Sequence, residues 1–304
     1  MTRSAPVRIA TRKSDLALWQ ANWVKSQLSA LGYSAELVLI ETQGDRTQAD
    51  GTPFRLMPGQ GFFTKAVQDA VAEGRADVAV HSHKDLPSAR MAGLELAAVS
   101  ERADPRDVLL VRPEAFVPNT PKLPLKVGAT VGTSAARRRA QLSHLRADLS
   151  VQELRGNVPT RVRKLREGAY EAIILAAAGL ERLGLDLSGL AVIPLDPQLF
   201  VPAPAQGVLA LEIRANDYDL ASLLTELHDP AAYKAVAAER GLMAMLEGGC
   251  QLALGAYATL QDGRIELSAW YEGKRATVAY PSSEGAAMLA YDALGRPAPA
   301  SVSP

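Results

Sequence analysis

The sequence predicts an α/β protein with mainly parallel sheets, and three observations carry this prediction. Short apolar runs alternate with amphipathic segments of helical period over the first part of the chain. The same alternation starts again near residue 125. Parallel strands need long connections, and the intervening helices supply them. A repeated unit of this kind predicts two lobes around a cleft.

The first repeat contains two helices whose ends are visible in the sequence. Ser14 and Thr64 precede amphipathic segments, and a hydroxyl at that place accepts a backbone N–H of the first turn. Gly32 and Gly74 end these helices, because glycine tolerates the left-handed backbone of a helix end. Strands are expected at residues 7–10, 36–41 and 77–80.

The second repeat has the same order. A helix is expected to start at Thr133-Ser134 and another at Pro159. Asp104–Asp107 is the expected first crossover between the lobes, and the proline-rich Val201–Ala205 is the second. The apolar runs predict strands at residues 125–129, 150–154 and 172–176, and one at 208–213 that returns to the first lobe.

The last part of the chain predicts a small α+β C-terminal domain. A helix starts at Pro230 and ends at Gly248-Gly249, and a final helix covers residues 283–294. Two glycine-containing turns predict hairpins between strands at 254–260, 265–271 and 275–280. The expected domains are 1–103 with 204–226 (domain 1), 104–203 (domain 2) and 227–304 (domain 3).

Composition narrows the class of function. The 304 residues contain 33 Lys and Arg against 33 Asp and Glu, so no overall field favours nucleic acid or a membrane surface. The single cysteine forms no internal disulfide, which fits a reducing cytoplasm. The start lacks the apolar core of a signal peptide, and no apolar stretch is long enough to span a bilayer. We expect a cytoplasmic protein without nucleic-acid or membrane partners.

Positive charge is nevertheless concentrated between Arg137 and Glu167, where nine basic residues stand against three acidic ones. Three of the arginines follow the Thr133-Ser134 helix start, and Arg155-Gly156 follows a strand. Helix N-termini and strand ends are common anion sites in open α/β sheets. The concentration of charge by itself could reflect a solvated basic face. The placement of the arginines at helix starts and strand ends favours a binding site for carboxylate or phosphate.

Two further segments carry reactive groups. His81–Pro87 follows a strand, so Asp85 can project a carboxylate beside Lys84, although the same loop also suits a simple turn. The two histidines do not predict a metal, because no further metal-binding motif accompanies them. Cys250 follows Gly248-Gly249, and that turn favours an exposed thiol, whereas a lone cysteine is usually an inert apolar residue.

Taken in order, the segments resemble the porphobilinogen deaminase (hydroxymethylbilane synthase) family. The resemblance extends from about residue 8 to 257, and the ordered set is far more specific than any one member. The matching segments are Arg8–Ser14, Leu16–Gln20, Ala79–Pro87, Asp104–Asp107, Val131–Ser134 with Arg137-Arg138, Leu154–Val158 with Thr160-Arg161, Ala172–Ala176, Ala178–Leu180, Arg182–Gly184, Pro202-Ala203, Gln206-Gly207 and Leu246–Gln251.

The resemblance implies a fold and an activity. The family has three domains, the first two arranged as periplasmic-binding-protein-like lobes. It joins four porphobilinogen molecules head to tail with loss of ammonia, on a dipyrromethane cofactor held by a cysteine thioether, and releases hydroxymethylbilane by hydrolysis. This chain would then be a monomeric cytoplasmic transferase of porphyrin and haem (tetrapyrrole) biosynthesis.

Residue by residue, the resemblance implies that Asp85 is the catalytic carboxylate, that Cys250 is the cofactor attachment and that no metal takes part. The residues implied to bind the acetate and propionate groups of substrate and cofactor are Arg12, Ser14, Ser82, Lys84, Thr133, Ser134, Arg137, Arg138, Arg155, Gly156, Arg161, Arg182 and Gln206.

This chain departs from the family pattern at Gln60, where lysine is usual, at Ala135, where serine is frequent, and at Ala253, where proline is common. We expect these changes to affect substrate binding, and they leave Asp85 and Cys250 in place. Two other functions fit the sequence less well. A non-enzymatic anion receptor has no use for a glycine-flanked cysteine, and a nucleic-acid-binding protein is disfavoured by the balanced charge and the lack of a binding motif.

Overall fold

The computed structural model describes residues 5–42, 64–246 and 252–297. Expectations for Gln60 and Cys250 therefore lie outside the described residues. The strands are β1 Val7–Arg12, β2 Ala35–Ile40, β3 Val78–Ser82, β4 Leu94–Val99, β5 Asp107–Val111, β6 Thr130–Gly132, β7 Ser150–Gln152, β8 Ala172–Ala176, β9 Ala191–Pro194, β10 Leu209–Arg214, β11 Gly255–Gln261, β12 Arg264–Tyr271 and β13 Lys274–Tyr280. The helices are α1 Asp15–Ala30, α2 Lys65–Ala72, α3 Ala136–Leu145, α4 Val158–Arg166, α5 Ala177–Leu183, α6 Tyr218–Leu224, α7 Pro230–Met245 and α8 Ser283–Ala293.

The chain divides into two compact units, residues 1–102 with 208–233 (unit 1) and residues 103–207 with 234–304 (unit 2). The first two changes between units fall close to the two predicted crossovers, and the third, between residues 233 and 234, falls within α7. Unit 2 contains both the second lobe and the C-terminal segment expected as domain 3. The division into three domains stays a prediction.

The sheet of unit 1 has the strand order β2-β1-β3-β10-β4. Strand β1 pairs in parallel with β2 and β3, whereas β10 runs antiparallel to both β3 and β4. Four strands therefore share one direction, and the odd one is the strand that returns by the second crossover. Helix α1 packs on one face, where Val24 and Leu28 meet Ile9, and helix α2 packs on the other, where Val67 meets Ala10.

Unit 2 also has a five-stranded sheet with one strand of opposite direction, in the order β7-β6-β8-β5-β9. Strand β6 is parallel to β7 and β8, and β5, which enters by the first crossover, is antiparallel to β8 and β9. Leu142 of α3 packs against one face and Leu165 of α4 against the other. The predicted α/β class with mainly parallel sheets is confirmed.

The C-terminal part of unit 2 is an antiparallel sheet β11-β12-β13 covered by helices α7 and α8. Both predicted hairpins are present. Their turn residues Asp262-Gly263 and Glu272-Gly273 all have positive φ, as the tight turns that match strand twist require. The predicted small C-terminal α+β segment is confirmed.

Some local predictions were wrong. The strand expected at residues 125–129 begins instead at Thr130, because Gly128 adopts a left-handed turn and Leu125 is buried within a loop. Ala135, and not Thr133 or Ser134, is the N-cap residue of α3. The strands β4, β5 and β9 and the helices α5 and α6 were not predicted.

Strand β11 passes very close to the second crossover at Gly255. A Cβ atom added there would lie 2.8 Å from the carbonyl oxygen of Val201 and 2.7 Å from its Cβ. We predict that Gly255→Ala lowers the free energy of unfolding by about 1–3 kcal/mol, because backbone cannot yield as a flexible side chain can. Urea unfolding followed by circular dichroism measures this.

The control is Ser268→Ala on the adjacent strand β12, where a change within about 0.5 kcal/mol is expected. Equal stability of Gly255→Ala and the wild type would show that the crossover and β11 are not in this close contact.

Candidate active site

In unit 1, the predicted catalytic segment lies where strand β3 ends. Strands β1 and β3 are parallel neighbours, so Arg12 at the end of β1 and Ser14 just after it share one sheet edge with the segment that follows β3. Ser14 caps α1 by accepting the N–H of Ala17. The structure thus brings five predicted residues to one edge, namely Arg12, Ser14, Ser82, Lys84 and Asp85.

A single 3₁₀ turn, His83–Asp85, presents the carboxylate. The backbone N–H of His83 donates to the carbonyl of Val208 at 2.9 Å, and Ser82 Oγ accepts from the buried Gln20 Nε2 at 2.8 Å. His83 is 3% exposed, while Asp85 two residues later is exposed to solvent. Hydrogen bonds therefore hold the start of the turn in place, and the carboxylate at its end is accessible to solvent.

Behind this turn, unit 1 buries a polar cluster of His81, Gln68 and Glu212. Gln68 Nε2 donates to Glu212 Oε2 at 2.8 Å, and His81 Nε2 lies 3.3 Å from the same oxygen. All three side chains are nearly inaccessible. The cluster links α2 and β10 to β3, the strand that leads into the predicted catalytic segment. Sequence reasoning missed Gln68 and Glu212, because these partners are more than a hundred residues apart in the chain.

In unit 2, three parallel strands in the order β7-β6-β8 are each followed by a helix. The N-termini of α4, α3 and α5 therefore meet at one edge of the sheet. The first-turn N–H groups of a helix lack intrahelical acceptors and carry partial positive charge. Thr133 and Ser134 stand before α3, and Arg155 and Gly156 stand before α4, so the structure brings these four predicted residues to the same edge.

The start of α4 is tightly built. Asn157 Oδ1 caps the helix by accepting the N–H of Thr160 at 2.9 Å, and Arg161 Nε donates to the carbonyl of Gly156 at 2.7 Å. Gly156 has φ +114°, and a Cβ there would lie 2.6 Å from Thr160 Cγ2, so glycine is required. Arg155 donates to Glu153 at 2.7 Å and remains half-buried. Two guanidinium groups thus flank a helix N-terminus.

Arg137 and Arg138 occupy a different environment from the one expected. They are 4% and 6% exposed, and both bond to the fully buried Asp107, at 2.7 Å from Arg137 Nη1 and 2.7 Å from Arg138 Nη2. Arg137 also donates to the carbonyl of Val201 at 2.8 Å, and Arg138 to that of Ile174 at 2.9 Å. These contacts favour a structural role; their predicted role as carboxylate ligands stays a prediction.

Burial alone raises the pKa of Asp107. Attraction to Arg137 and Arg138, with hydrogen bonds from Arg137 and Gln206, more than offsets that effect and holds the pKa far below its usual range. Burial also lowers the pKa of Arg137, although Asp107 opposes this. The group is therefore an ion pair network at neutral pH.

The two remaining predicted residues also bond to the crossovers. Gln206 is 1% exposed and donates to Asp107 Oδ1 at 3.1 Å and to the carbonyl of Pro105 at 2.8 Å. Arg182 Nη2 donates to the carbonyl of Gly207 at 2.8 Å, and burial lowers the pKa of Arg182. Like Arg137 and Arg138, these residues hold the crossover segments.

The donor set fits a dipyrromethane, whose acetate and propionate groups need cations and N–H donors and whose pyrrole N–H groups need an acceptor. The edge of unit 1 offers Arg12, Lys84 and the carboxylate of Asp85. The edge of unit 2 offers helix N-termini with Arg155 and Arg161. Across the described ranges, no cluster of three or more His, Cys, Asp or Glu residues is arranged to hold a metal ion.

Comparison with known proteins identifies the family. A family model described as porphobilinogen deaminase, dipyromethane cofactor binding domain, matches residues 7–222, and one described as the porphobilinogen deaminase C-terminal domain matches residues 233–274. The chain belongs to the porphobilinogen deaminase family. The porphobilinogen deaminase of Syntrophobacter fumaroxidans is 44% identical over 264 residues, which cover 86% of this chain and 82% of that relative.

Membership makes the chain an enzyme, a transferase of tetrapyrrole biosynthesis that uses a dipyrromethane cofactor. The predicted family, enzyme class and cofactor are confirmed. The roles assigned to individual residues are not tested by these comparisons and stay predictions.

Solved structures show more distant likenesses. The periplasmic VFT2 domain of Bordetella pertussis BvgS is 18% identical, over 73% of this chain and 86% of that chain, with a TM-score of 0.42. An amino acid ABC transporter substrate-binding protein from Streptococcus pneumoniae is 14% identical, over 73% and 86%, with a TM-score of 0.43. The fold assignment rests on the strand orders given above and not on these likenesses.

Among the helices of the described residues, none combines the length and the apolar character needed to cross a bilayer.

The Asp107 network leads to a stability prediction. Asp107→Asn leaves two buried guanidinium groups without a counter-charge, so we expect the free energy of unfolding at pH 7 to fall by about 3–5 kcal/mol. Because the folded-state pKa is depressed, the carboxylate stabilises the fold above the unfolded pKa of about 4, and this contribution is lost as the pH falls below it. Urea unfolding between acid and neutral pH measures both effects.

The control is Glu167→Gln, which removes the exposed pair with Arg163 and should cost about 0.5 kcal/mol. An Asp107→Asn variant with wild-type stability at pH 7 would contradict the assignment of Asp107 as a buried counter-ion.

Proposed function

We propose that this chain condenses four porphobilinogen molecules head to tail on a dipyrromethane primer, with Asp85 as its acid–base group and Cys250 as the thioether anchor. The reaction releases one ammonia for each substrate, and hydrolysis frees hydroxymethylbilane. The observation that carries the proposal is the exposed Asp85 carboxylate on a fixed turn at a parallel sheet edge, beside Arg12 and Lys84.

Asp85 suits the first half of the reaction. As the acid form, its carboxyl group gives a proton to the aminomethyl nitrogen of porphobilinogen, the C–N bond breaks and ammonia leaves. The pyrrole then carries a positive charge, which the resulting carboxylate stabilises while it accepts the pyrrole N–H. A carbon–carbon bond forms next, and the proton lost from the attacking ring returns to a base. One carboxylate serves these steps without a metal.

The dipyrromethane supplies the primer that receives the first substrate. The residues of this chain bind the carboxylates that every added ring brings. Arg155 and Arg161 beside the start of α4, and Thr133 and Ser134 before α3, present guanidinium and helix N–H donors to carboxylates. Arg12 and Lys84 do the same beside Asp85. Planar guanidinium groups bind carboxylates through two parallel bonds, which orients a ring as well as holding it.

The proposal also includes a cytoplasmic location and a monomeric state. One cysteine in 304 residues suits a reducing cytoplasm, where the anchoring thiol stays available. A single chain supplies Asp85, the arginines and Cys250, so the chemistry needs no second copy and a monomer suffices. Balanced charge gives no reason to expect nucleic acid as a partner.

The role of Asp85 predicts a large loss of turnover without loss of fold. Asp85→Ala removes the acid–base group from an exposed turn, so we expect kcat with porphobilinogen to fall by about 10²–10⁴-fold. Thermal unfolding should stay close to that of the wild type because the side chain is exposed. Asp219→Ala, on an exposed position of α6 in the same unit, is the control with unchanged turnover. Near-normal turnover of Asp85→Ala would exclude the acid–base role.

The anchor role predicts a covalent mass. Intact-protein mass spectrometry of the wild type should show the chain mass plus one dipyrromethane, and Cys250→Ser should show the chain mass alone, because the hydroxyl of serine does not form the thioether. A folded, active wild type without added mass would overturn the assignment of Cys250.

A further inference from the structure

Glu239 lies in the middle of α7, and its side chain is completely buried. Its carboxylate accepts two backbone N–H bonds from different parts of unit 2. Oε2 accepts from Ala205 at 2.6 Å, and Oε1 accepts from Ala258 at 2.7 Å. Ala205 belongs to the second crossover and Ala258 to strand β11. One side chain therefore joins a helix, a strand and a crossover.

The crossover at this point is held in an unfavourable conformation. Ala205 has φ +61°, a left-handed backbone that residues with a Cβ rarely adopt. The bond from its N–H to Glu239 is charge-assisted and helps to hold the backbone there. Two further contacts bring β11 to the same segment, since the N–H of Ala256 donates to the carbonyl of Pro202 at 2.9 Å and Gly255 lies against Val201.

The contact of Glu239 with Ala205 and Ala258 lies close in the sequence to Cys250, the proposed cofactor anchor. Helix α7 precedes Cys250 in the sequence, and strand β11 follows it. Glu239 thus ties the elements on both sides of the cofactor anchor to the second crossover, which also leads into Gln206 of the Asp107 network. We propose that Glu239 is a positioning residue that fixes both flanks of the Cys250 segment for chain elongation. This inference rests on the anchor role proposed for Cys250.

The chemistry of the junction requires a carboxylate of this length. Glutamine offers one acceptor oxygen, so its NH₂ group would face the second backbone N–H and leave that bond unmade. Aspartate keeps the charge but is one methylene shorter, so it cannot reach Ala205 and Ala258 together. Glu239→Gln and Glu239→Asp therefore both break the link while changing little volume.

The test compares these variants as holoenzymes with Glu266→Gln, an exposed position on β12 of the same sheet. Hydrogen exchange, read by mass spectrometry, should rise in peptides containing Ala205 and Ala258 and stay unchanged in a peptide covering strand β8. At a temperature well below unfolding, kcat should fall by about tenfold or more with KM within about twofold, as expected of a misplaced reacting group. Glu266→Gln should match the wild type in both readouts.

Intact mass separates the possible failures. If the wild type carries no dipyrromethane, the anchor role of Cys250 fails, whatever Glu239 does. If the Glu239 variants carry full cofactor and exchange rises while kcat stays at the wild-type value, Glu239 is only structural and the inference is overturned. Failure of both variants to fold has the same meaning, because the contact then serves stability alone.

Discussion

The buried contact between Asp107 and the guanidinium groups of Arg137 and Arg138 is the constraint on which the organisation of unit 2 depends. Asp107 is the last residue of the first crossover and the first residue of β5, and the arginines stand in the first turn of α3. Two guanidinium groups face one carboxylate. Arg137 also donates a hydrogen bond to the carbonyl of Val201, and Arg138 donates one to the carbonyl of Ile174. Such a network costs desolvation and is stable only when its donors are satisfied, so it specifies one geometry for both crossovers.

Each crossover leads into the one strand of opposite direction in its sheet. The chain leaves unit 1 after β4 and enters unit 2 along β5, which is antiparallel to its neighbours; it returns along β10, again antiparallel to its neighbours. The chain around the second connection contains Gln206, the Gly207 carbonyl that accepts from Arg182, and the Ala205 N–H that donates to Glu239. Polar side chains that would be expensive to bury elsewhere are thus concentrated where the chain changes units, because the irregular backbone there has carbonyl and N–H groups to satisfy.

The sequence predicted what depends on local pattern. Strand β8 was placed at its observed bounds because its five apolar residues form a continuous run, and the hairpin turns at Gly263 and Gly273 follow from the need for positive φ. Strand β6 was misplaced because buried Leu125 in a loop has the same composition as a strand residue. The partners of Asp107, Glu212 and Glu239 lie 19 to 144 positions away, and pairing at that distance leaves no periodic trace. Motif order singled out candidate site residues whatever their burial, from the exposed Asp85 to the buried Arg137 and Gln206, but it did not show which groups they bond to.

The arginines predicted to bind substrate carboxylates differ in burial and in the groups to which they are already bonded. Motif order alone treats Arg137, Arg138, Arg155, Arg161 and Arg182 as equivalent cations. In the structure, Arg137, Arg138 and Arg182 are bonded to Asp107 or to crossover carbonyls, whereas Arg155 and Arg161 flank the start of α4 and are half-buried. We therefore predict that fewer of these guanidinium groups face a ligand and that the helix N-termini at the β7-β6-β8 edge supply more of the carboxylate binding. Backbone N–H groups are fixed in direction, so this division favours carboxylates presented at a set position over anions in general.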